Sequence, residues 1–415
     1  MSDLSALRDR FPALARAGED GRPLVIVDAP GGSQVPDTVI EAVSAHYRTG
    51  VSNMDGAFAT SRETGEVVAA ARRAGADLVG TDPERIVFGQ NSTSLLFHVA
   101  RSLTRALGPD DEVVVTRLDH DANVRPWVLA ARDAGATLRW VDIDPDDATL
   151  DEASFDAALS ERTRLVAFTL ASNGVGTITP AARLVRRAKE TGALVAVDGV
   201  HLAQHRAIDF DELGADLLAV SPYKVFGPHL GMLAARPGIL DDLDPYRVRP
   251  AQDYPSPERW ETGTQNHEAM QGFVAAVDYL AEAGRTYGAP ADGSRRAEVR
   301  AAFAAFGDHE RGLSRRFVDG FARIPGGRLW GIGDPGRLDE RTPTFAVRLG
   351  DQHPLKTAEA LGDRGIFVWD GHYYAMELFE RLGLLETGGA VRIGFCHYHT
   401  ADEVDRVLAA LHDLA

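Results

Sequence analysis

The sequence predicts an α/β protein, with a large domain on a mostly parallel sheet flanked by helices and a smaller α+β unit at the C-terminal end. Three observations predict it. At 415 residues the chain is long enough for two or three domains, or one large domain with an appendage. Between about residues 20 and 235, short apolar runs alternate with longer stretches apolar at helical spacing, as in a sheet covered by helices on both faces. After the Pro- and Gly-containing stretch 237–257 the pattern changes to helix first, then short strands, then a closing helix.

Taken in order, the start MSDLSALRDRFPAL reads as a charged amphipathic segment without the apolar block of a signal peptide. A helical pattern covers 69–78, and strand-like runs lie at 86–88, 112–115, 138–141, 165–169, 194–197 and 217–220, with another helical pattern at 180–189. A helix is predicted over 267–283, followed by an Asp/Gly/Ser loop near 289–294. Strands at 345–349, 366–369 and 391–395 and a helix at 402–414 complete the smaller unit. The predicted division is 20–290 for the large domain, and 1–19 with 291–415 for the small one.

Composition narrows the function. A net charge of −17 argues against a sequence-independent nucleic-acid binder, which needs basic surface to displace counterions. One cysteine, Cys396, cannot form an intrachain disulfide. No apolar run reaches the roughly 18–20 residues of a membrane helix, so the expectation is a cytoplasmic enzyme without membrane or nucleic-acid partners.

Only three of the 44 basic residues are lysines. Lys189 closes the helical stretch ARLVRRAKE and Lys356 opens HPLKTAEAL; both read as solvated helix faces. Lys224 differs, because it follows the apolar run 217–220, at the strand end where parallel sheets place their chemistry. Asp198 ends the preceding strand in GALVAVDGVH. An amine and a carboxylate on successive strand ends suit pyridoxal phosphate: the lysine anchors the aldehyde and the aspartate keeps the pyridine nitrogen protonated. An Asp that merely caps the next turn is the alternative. Gln90-Asn91-Ser92-Thr93-Ser94 lies between the run 86–88 and a helix predicted at 95–103, where backbone N–H groups and hydroxyls hold a phosphate.

In this order, DHDANVRPW, ASNGVGTI, VDGVH, SPYKVFGPHLG, ETGTQN and VRIGFCHYHT resemble the class V aminotransferases of pyridoxal phosphate fold type I, within them the cysteine desulfurase-like group. The resemblance spans nearly the whole chain. It implies a homodimer with its active site at the subunit interface, acting on an amino acid. By position, His120 would stack on the cofactor ring, Asn173 would lie near its hydroxyl and the substrate, Asp198 would meet the ring nitrogen and Lys224 would be the covalent anchor. Ser92, Thr93, Ser221 and Tyr223 would approach the phosphate, with Gly263 and Thr264 reaching it from a second subunit. Arg392, inside the apolar run VRIGF, would grip the substrate α-carboxylate in the bidentate geometry a guanidinium offers.

Four positions depart from the desulfurase pattern. His201 replaces a glutamine three residues after the aspartate, Tyr223 replaces histidine before the lysine, and Trp369 stands where an arginine is usual. The desulfurase cysteine itself falls on Tyr374 in VWDGHYYAMEL, and a phenol cannot accept sulfane sulfur, which requires a thiolate. Cys396, roughly 13 Å beyond Arg392 if the strand continues, reads as a buried apolar thiol.

What remains is a β-eliminating lyase on a cysteine-derived amino acid, with Lys224 as base, Tyr374 or Tyr373 as proton donor or pocket wall, and pyruvate and ammonia as products. Epimerisation, transamination, or desulfuration without the usual thiol are the alternatives. Specificity is expected from Phe58, Trp369, His372, Tyr373 and Tyr374. The G-x-G-x-x-G string at 331–336 reads as a hairpin loop, because Pro335 and the residues after it leave no helix to bind pyrophosphate. Cys396, His397 and His399 do not read as a metal site, since an extended strand would point the cysteine away from both histidines.

Overall fold

The computed structural model describes residues 4–19, 21–251 and 253–415. Their architecture is α/β. The central sheet has the strand order Ile86–Gly89, Gly231–Ala235, Leu217–Val220, Leu194–Asp198, Thr163–Thr169, Glu112–Thr116, Thr137–Val141. All neighbours run parallel except Gly231–Ala235, antiparallel to both of its partners. Both faces are buried. Val113, Val115, Leu165 and Ala167 pack into one apolar cluster, while Val114, Val166 and Phe168 enter the other. This explains why the strands read as unbroken apolar runs.

A second, antiparallel sheet has the order Trp369–Gly371, Ala390–Gly394, Thr344–Leu349, Gly327–Trp330. The long helix Arg295–Phe321 and the closing helix Ala401–Leu414 pack over its apolar cluster. Val25–Ile26 lies within the range 20–290, yet it pairs in parallel with Ile366–Phe367. Gly331–Gly336 does join two antiparallel strands, and Asp334 caps the short turn Pro335–Glu340.

Three expectations need correction. The run 366–369 is two strands: Ile366–Phe367 pairs with Val25–Ile26, and Trp369–Gly371 crosses to Ala390–Gly394. The strand expected to reach 395 ends at Gly394, where Phe395 N–H donates to Pro343 and the chain turns. The geometry assumed for Cys396, His397 and His399 therefore does not apply. The Cys396 Sγ lies 3.7 Å from His399 Nδ1 on the same side, while His397 stacks on Phe306 and bonds the Tyr279 hydroxyl at 2.7 Å. Among the described residues no cluster of ligand types is arranged to hold a metal.

Lys189 is the third correction. Its ammonium donates to both oxygens of the fully buried Asp216 at 2.9 and 2.7 Å, and Asp216 also accepts from Arg236 Nε and Val195 N–H. The carboxylate ties a helix, a strand and the following loop under the sheet. Asp216→Ala strands a half-buried ammonium and a buried N–H, so it is expected to lower unfolding stability by about 3 kcal/mol, read from a urea midpoint.

Candidate active site

The site forms where the parallel strands end. Asp198 closes the strand Leu194–Asp198, and its neighbour Leu217–Val220 leads through Ser221 into the tight turn Pro222–Lys224. Pro222 sets that turn by fixing its own φ. The turn swings Lys224 beneath the loop after Val25–Ile26, where its Nζ donates to the Pro30 carbonyl at 2.7 Å. Lys224 is buried, and burial together with the charge of Arg392 lowers its pKa to about 8. Asp198 is equally buried; one oxygen accepts the Val200 N–H at 2.8 Å, and burial raises its pKa to about 6. The capping role and the cavity role thus coexist, one for each carboxylate oxygen.

The helix after Gln90 starts at Ser92, three residues earlier than predicted, with Asn91 capping the Ser94 N–H. Ser92 Oγ lies 2.7 Å from the Val220 carbonyl and 2.8 Å from Ser221 Oγ. The strand Gly231–Ala235 presses against this helix start. A Cβ on Gly231 would meet the Asn91 carbonyl carbon at 2.3 Å, so glycine is required there. Tyr223 lies parallel to His229 with ring centroids 4.7 Å apart.

His120 follows the strand Glu112–Thr116. Its Nδ1 accepts the Ala122 N–H, placing the proton of the neutral ring on Nε2. Burial and the charges of Lys224 and Arg392 lower its pKa to about 3. Asn173 donates to the Tyr373 carbonyl at 2.9 Å, and its buried Oδ1 has no partner among the described residues. The buried His201 bonds Thr342 and Thr344 through Nε2, leaving Nδ1 without a partner among the described residues. Arg392, centred in the strand Ala390–Gly394, donates to Asp28 Oδ1 at 2.8 Å and to the Asn173 carbonyl at 3.3 Å; it also lies over the Tyr373 ring. Its Nε is unpartnered among the described residues.

These groups surround two connected spaces that share Lys224, His120, Asn173, Tyr223 and Thr93. The inner one reaches Asp198, Ser92, Ser221 and His201. The outer one, about 490 Å³, reaches Arg392, Trp369, Tyr373 and Tyr374. Lys224, Asp198, His120, Asn173, Ser92, Thr93, Ser221, Tyr223, His201, Arg392, Trp369 and Tyr374 are therefore brought together as the sequence suggested.

Others are not. Gly263 and Thr264 do not line either space; Thr264 faces a separate cleft with Gln90 and Ser94. Phe58 is exposed and also lies outside. The His372 ring accepts the Tyr374 N–H instead of lining the cavity. Tyr373 does line the outer space, as a wall, but its buried phenol donates to the Ala390 carbonyl, so it is no free proton donor. Asp28, Pro30, Asp121 and Arg125 line the outer space without having been picked out. Asp28 alone had a readable signal, a carboxylate following the apolar LVIV.

The residues fit pyridoxal phosphate. A buried amine faces a buried carboxylate with one oxygen free of hydrogen-bond partners among the described residues, Asn173 Oδ1 and His201 Nδ1, likewise unpartnered among them, flank the space, and a capped helix start with two hydroxyls closes one end. The fold and this site define a pyridoxal phosphate-dependent enzyme of fold type I.

Comparison places it further. The profile of the family Aminotransferase class-V matches residues 25–291 and 296–407. A probable cysteine desulfurase of Streptomyces coelicolor is 31% identical over 99% of this chain and 96% of its own length. A probable cysteine desulfurase 2 of Mycobacterium leprae is 32% identical with the same coverage. The apo structure of a cysteine desulfurase from Thermococcus onnurineus superposes with a TM-score of 0.86 at 25% identity, covering 100% of this chain and 98% of that one. The chain belongs to the class V aminotransferase family, in its cysteine desulfurase-like group.

The lowered pKa of Lys224 has a direct consequence. Only the neutral amine attacks an aldehyde, so uptake of pyridoxal phosphate by cofactor-free protein is expected to accelerate as pH rises through about 8, well below the ordinary lysine value. Stopped-flow absorbance across pH 6–10 measures the midpoint.

Proposed function

We propose that the protein is a β-eliminating lyase that cleaves the C–S bond of a cysteine-derived amino acid, releasing a thiol, pyruvate and ammonia. One observation carries the reading. The chain's one cysteine is fully buried, its thiol pushed well above its ordinary pKa by burial, and by the family resemblance of VWDGHYYAMEL it is Tyr374 that stands where desulfurases carry their nucleophile. No thiolate is available to take sulfur, whereas elimination needs only a base, an electron sink and a carboxylate clamp.

In this reading Arg392 binds the substrate α-carboxylate, held in orientation by Asp28 and the Asn173 carbonyl. Bound pyridoxal phosphate supplies the electron sink that stabilises charge at the substrate α-carbon, with Asp198 paired to its ring nitrogen. Lys224 Nζ removes the α-proton. The Cβ–S bond breaks as its electron pair leaves on sulfur, and the Tyr374 hydroxyl, which has no hydrogen-bond partner among the described residues, protonates the departing thiolate. Water then releases the three-carbon remainder as pyruvate and ammonium.

Trp369 and Tyr374, both exposed at the mouth, suit an apolar S-substituent. We assign Ser92, Thr93, Ser221 and Tyr223 to the phosphate end and His201 to the cofactor wall. We further propose a cytoplasmic homodimer in which Gly263 and Thr264, which line neither space of their own chain, reach the phosphate from the second copy. Among the described residues no helix is long and apolar enough to cross a membrane.

The test is to offer holoenzyme a series of S-substituted cysteines and assay pyruvate together with thiol. Equal amounts of both are expected. Alanine and sulfide from free cysteine would instead identify desulfuration. Deuterium uptake at the α-carbon without net turnover would identify an epimerase, and dependence on a keto acid an aminotransferase.

A further inference from the structure

A second cavity, of about 350 Å³, lies on the far side of His201 from the cofactor space and shares no lining residue with it. Its walls are the segment after the cofactor-side turn, the helix Arg295–Phe321 and the approach to the strand Thr344–Leu349. Four guanidinium groups line it: Arg206, Arg300, Arg311 and Arg341.

The arginines are unevenly neutralised. Arg311 is paired with Asp308 and Asp339, both at 2.8 Å, and Arg300 reaches Asp209 only at 3.6 Å. Arg206 donates to the Asp339 carbonyl. The buried Arg341 donates only to the carbonyls of Thr342, Ile332, Val175 and Thr344. Neither Arg206 nor Arg341 has a carboxylate partner among the described residues. Burying a cation without a counter-charge is costly; carbonyls take up the Arg341 donors but carry no net charge, so an anion here would supply the compensation that the protein does not.

Against these cations stands a buried pair, His205 and Glu310, joined Nδ1 to Oε2 at 3.0 Å. Both line the cavity, and each has an atom without a partner among the described residues, His205 Nε2 and Glu310 Oε1. Oε1 is an acceptor requiring a donor, while the arginines require negative charge. A fully deprotonated oxyanion satisfies only the second demand. An oxyanion that carries a hydroxyl satisfies both.

We propose that this cavity binds a phosphate group accompanied by a hydroxyl, as free hydrogen phosphate or as the end of a small hydroxylated phosphate ester. The anion sits between Arg206 and Arg341, and the hydroxyl donates to Glu310 Oε1. The proposal is independent of the reaction run at Lys224.

Calorimetry on cofactor-loaded protein at pH 7.5 tests it with inorganic phosphate, glycerol 3-phosphate and sulfate. Binding of at least one phosphate compound is expected, at least tenfold tighter than sulfate, because an acceptor left facing a proton-free anion is penalised. The tighter of the two phosphate compounds identifies the source. Arg206→Gln, at a half-exposed position, is expected to weaken phosphate at least tenfold. Glu310→Gln, which removes the carboxylate charge, is expected to bring sulfate within about threefold of phosphate. No uptake of either phosphate compound, equal affinity for sulfate, or unchanged affinity in Arg206→Gln would overturn the proposal. The cofactor's visible absorbance, monitored in parallel, must stay constant, so that the heat does not come from the Lys224 site.

Discussion

Lys224→Ala is expected to abolish turnover, with a loss of at least about 10⁴-fold, and to eliminate the visible absorbance of covalently held cofactor. Both effects trace to one atom. Nζ is the amine that faces Asp198, and it alone is both buried and free of a carboxylate partner, since Lys189 is locked to Asp216 and Lys356 to Glu359. The fold should survive, because the buried ammonium makes one hydrogen bond, to the Pro30 carbonyl, and one ring contact, to Tyr223, and losing it removes a desolvation cost as well as these contacts. An unchanged melting temperature with lost absorbance separates anchor loss from unfolding. Borohydride reduction followed by peptide mapping gives the converse, a reduced adduct on the peptide containing 224 in the native protein and none in the variant. If the adduct maps elsewhere, the anchor assignment is wrong.

Arg392→Gln is expected to cost about 10²–10³-fold in kcat/KM, mostly through KM. The guanidinium is almost fully buried, and Asp28, the Asn173 carbonyl and the Tyr373 ring hold it on three sides. Its unpartnered Nε marks the edge left for a second carboxylate. Glutamine keeps much of the bulk but offers one planar donor pair without charge, so the two-point contact is lost. Lys is not a conservative replacement either, because a point charge lacks the fork. Asp28 stays behind as an uncompensated negative charge and adds to the loss by repelling the substrate. Comparing Arg392→Gln with the double variant Arg392→Gln/Asp28→Asn isolates that repulsion: partial recovery of KM is expected.

How much of this was readable from sequence follows from the physics of each feature. The large sheet was legible because strands covered on both faces must be apolar at every position. The strand Gly231–Ala235 escaped separate notice because GMLAA is short and small-residue-rich. The run 366–369 misled because its two halves join different sheets, a long-range event that no local pattern records. Lys224, Asp198 and Arg392 were legible because a charged group at an apolar strand end or inside one needs a reason. The Asp28 contact with Arg392 was hidden because 364 positions separate them. Lys189 looked like a solvent-facing helical residue because its partner Asp216 lies on a different element. His372 was placed in the pocket from its neighbourhood to Tyr374, but side-chain direction in a turn depends on φ, which sequence does not give.

That turn carries a last consequence. Tyr373 and Tyr374 have φ values of 53° and 59°, consecutive left-handed positions that L residues adopt at a cost. The bonds that hold the bend are made mainly by main-chain atoms: Asn173 grips the Tyr373 carbonyl, and the Asp121 N–H donates to the Tyr374 carbonyl at 2.7 Å. The Tyr374 side chain contributes nothing to that scaffold beyond contact with the His120 and His372 rings. The bend is thus a socket whose shape does not depend on what is plugged into it. A side chain exchanged at position 374 would therefore change what the cavity mouth presents while leaving the main-chain bend intact, which makes this position an economical point for redesign.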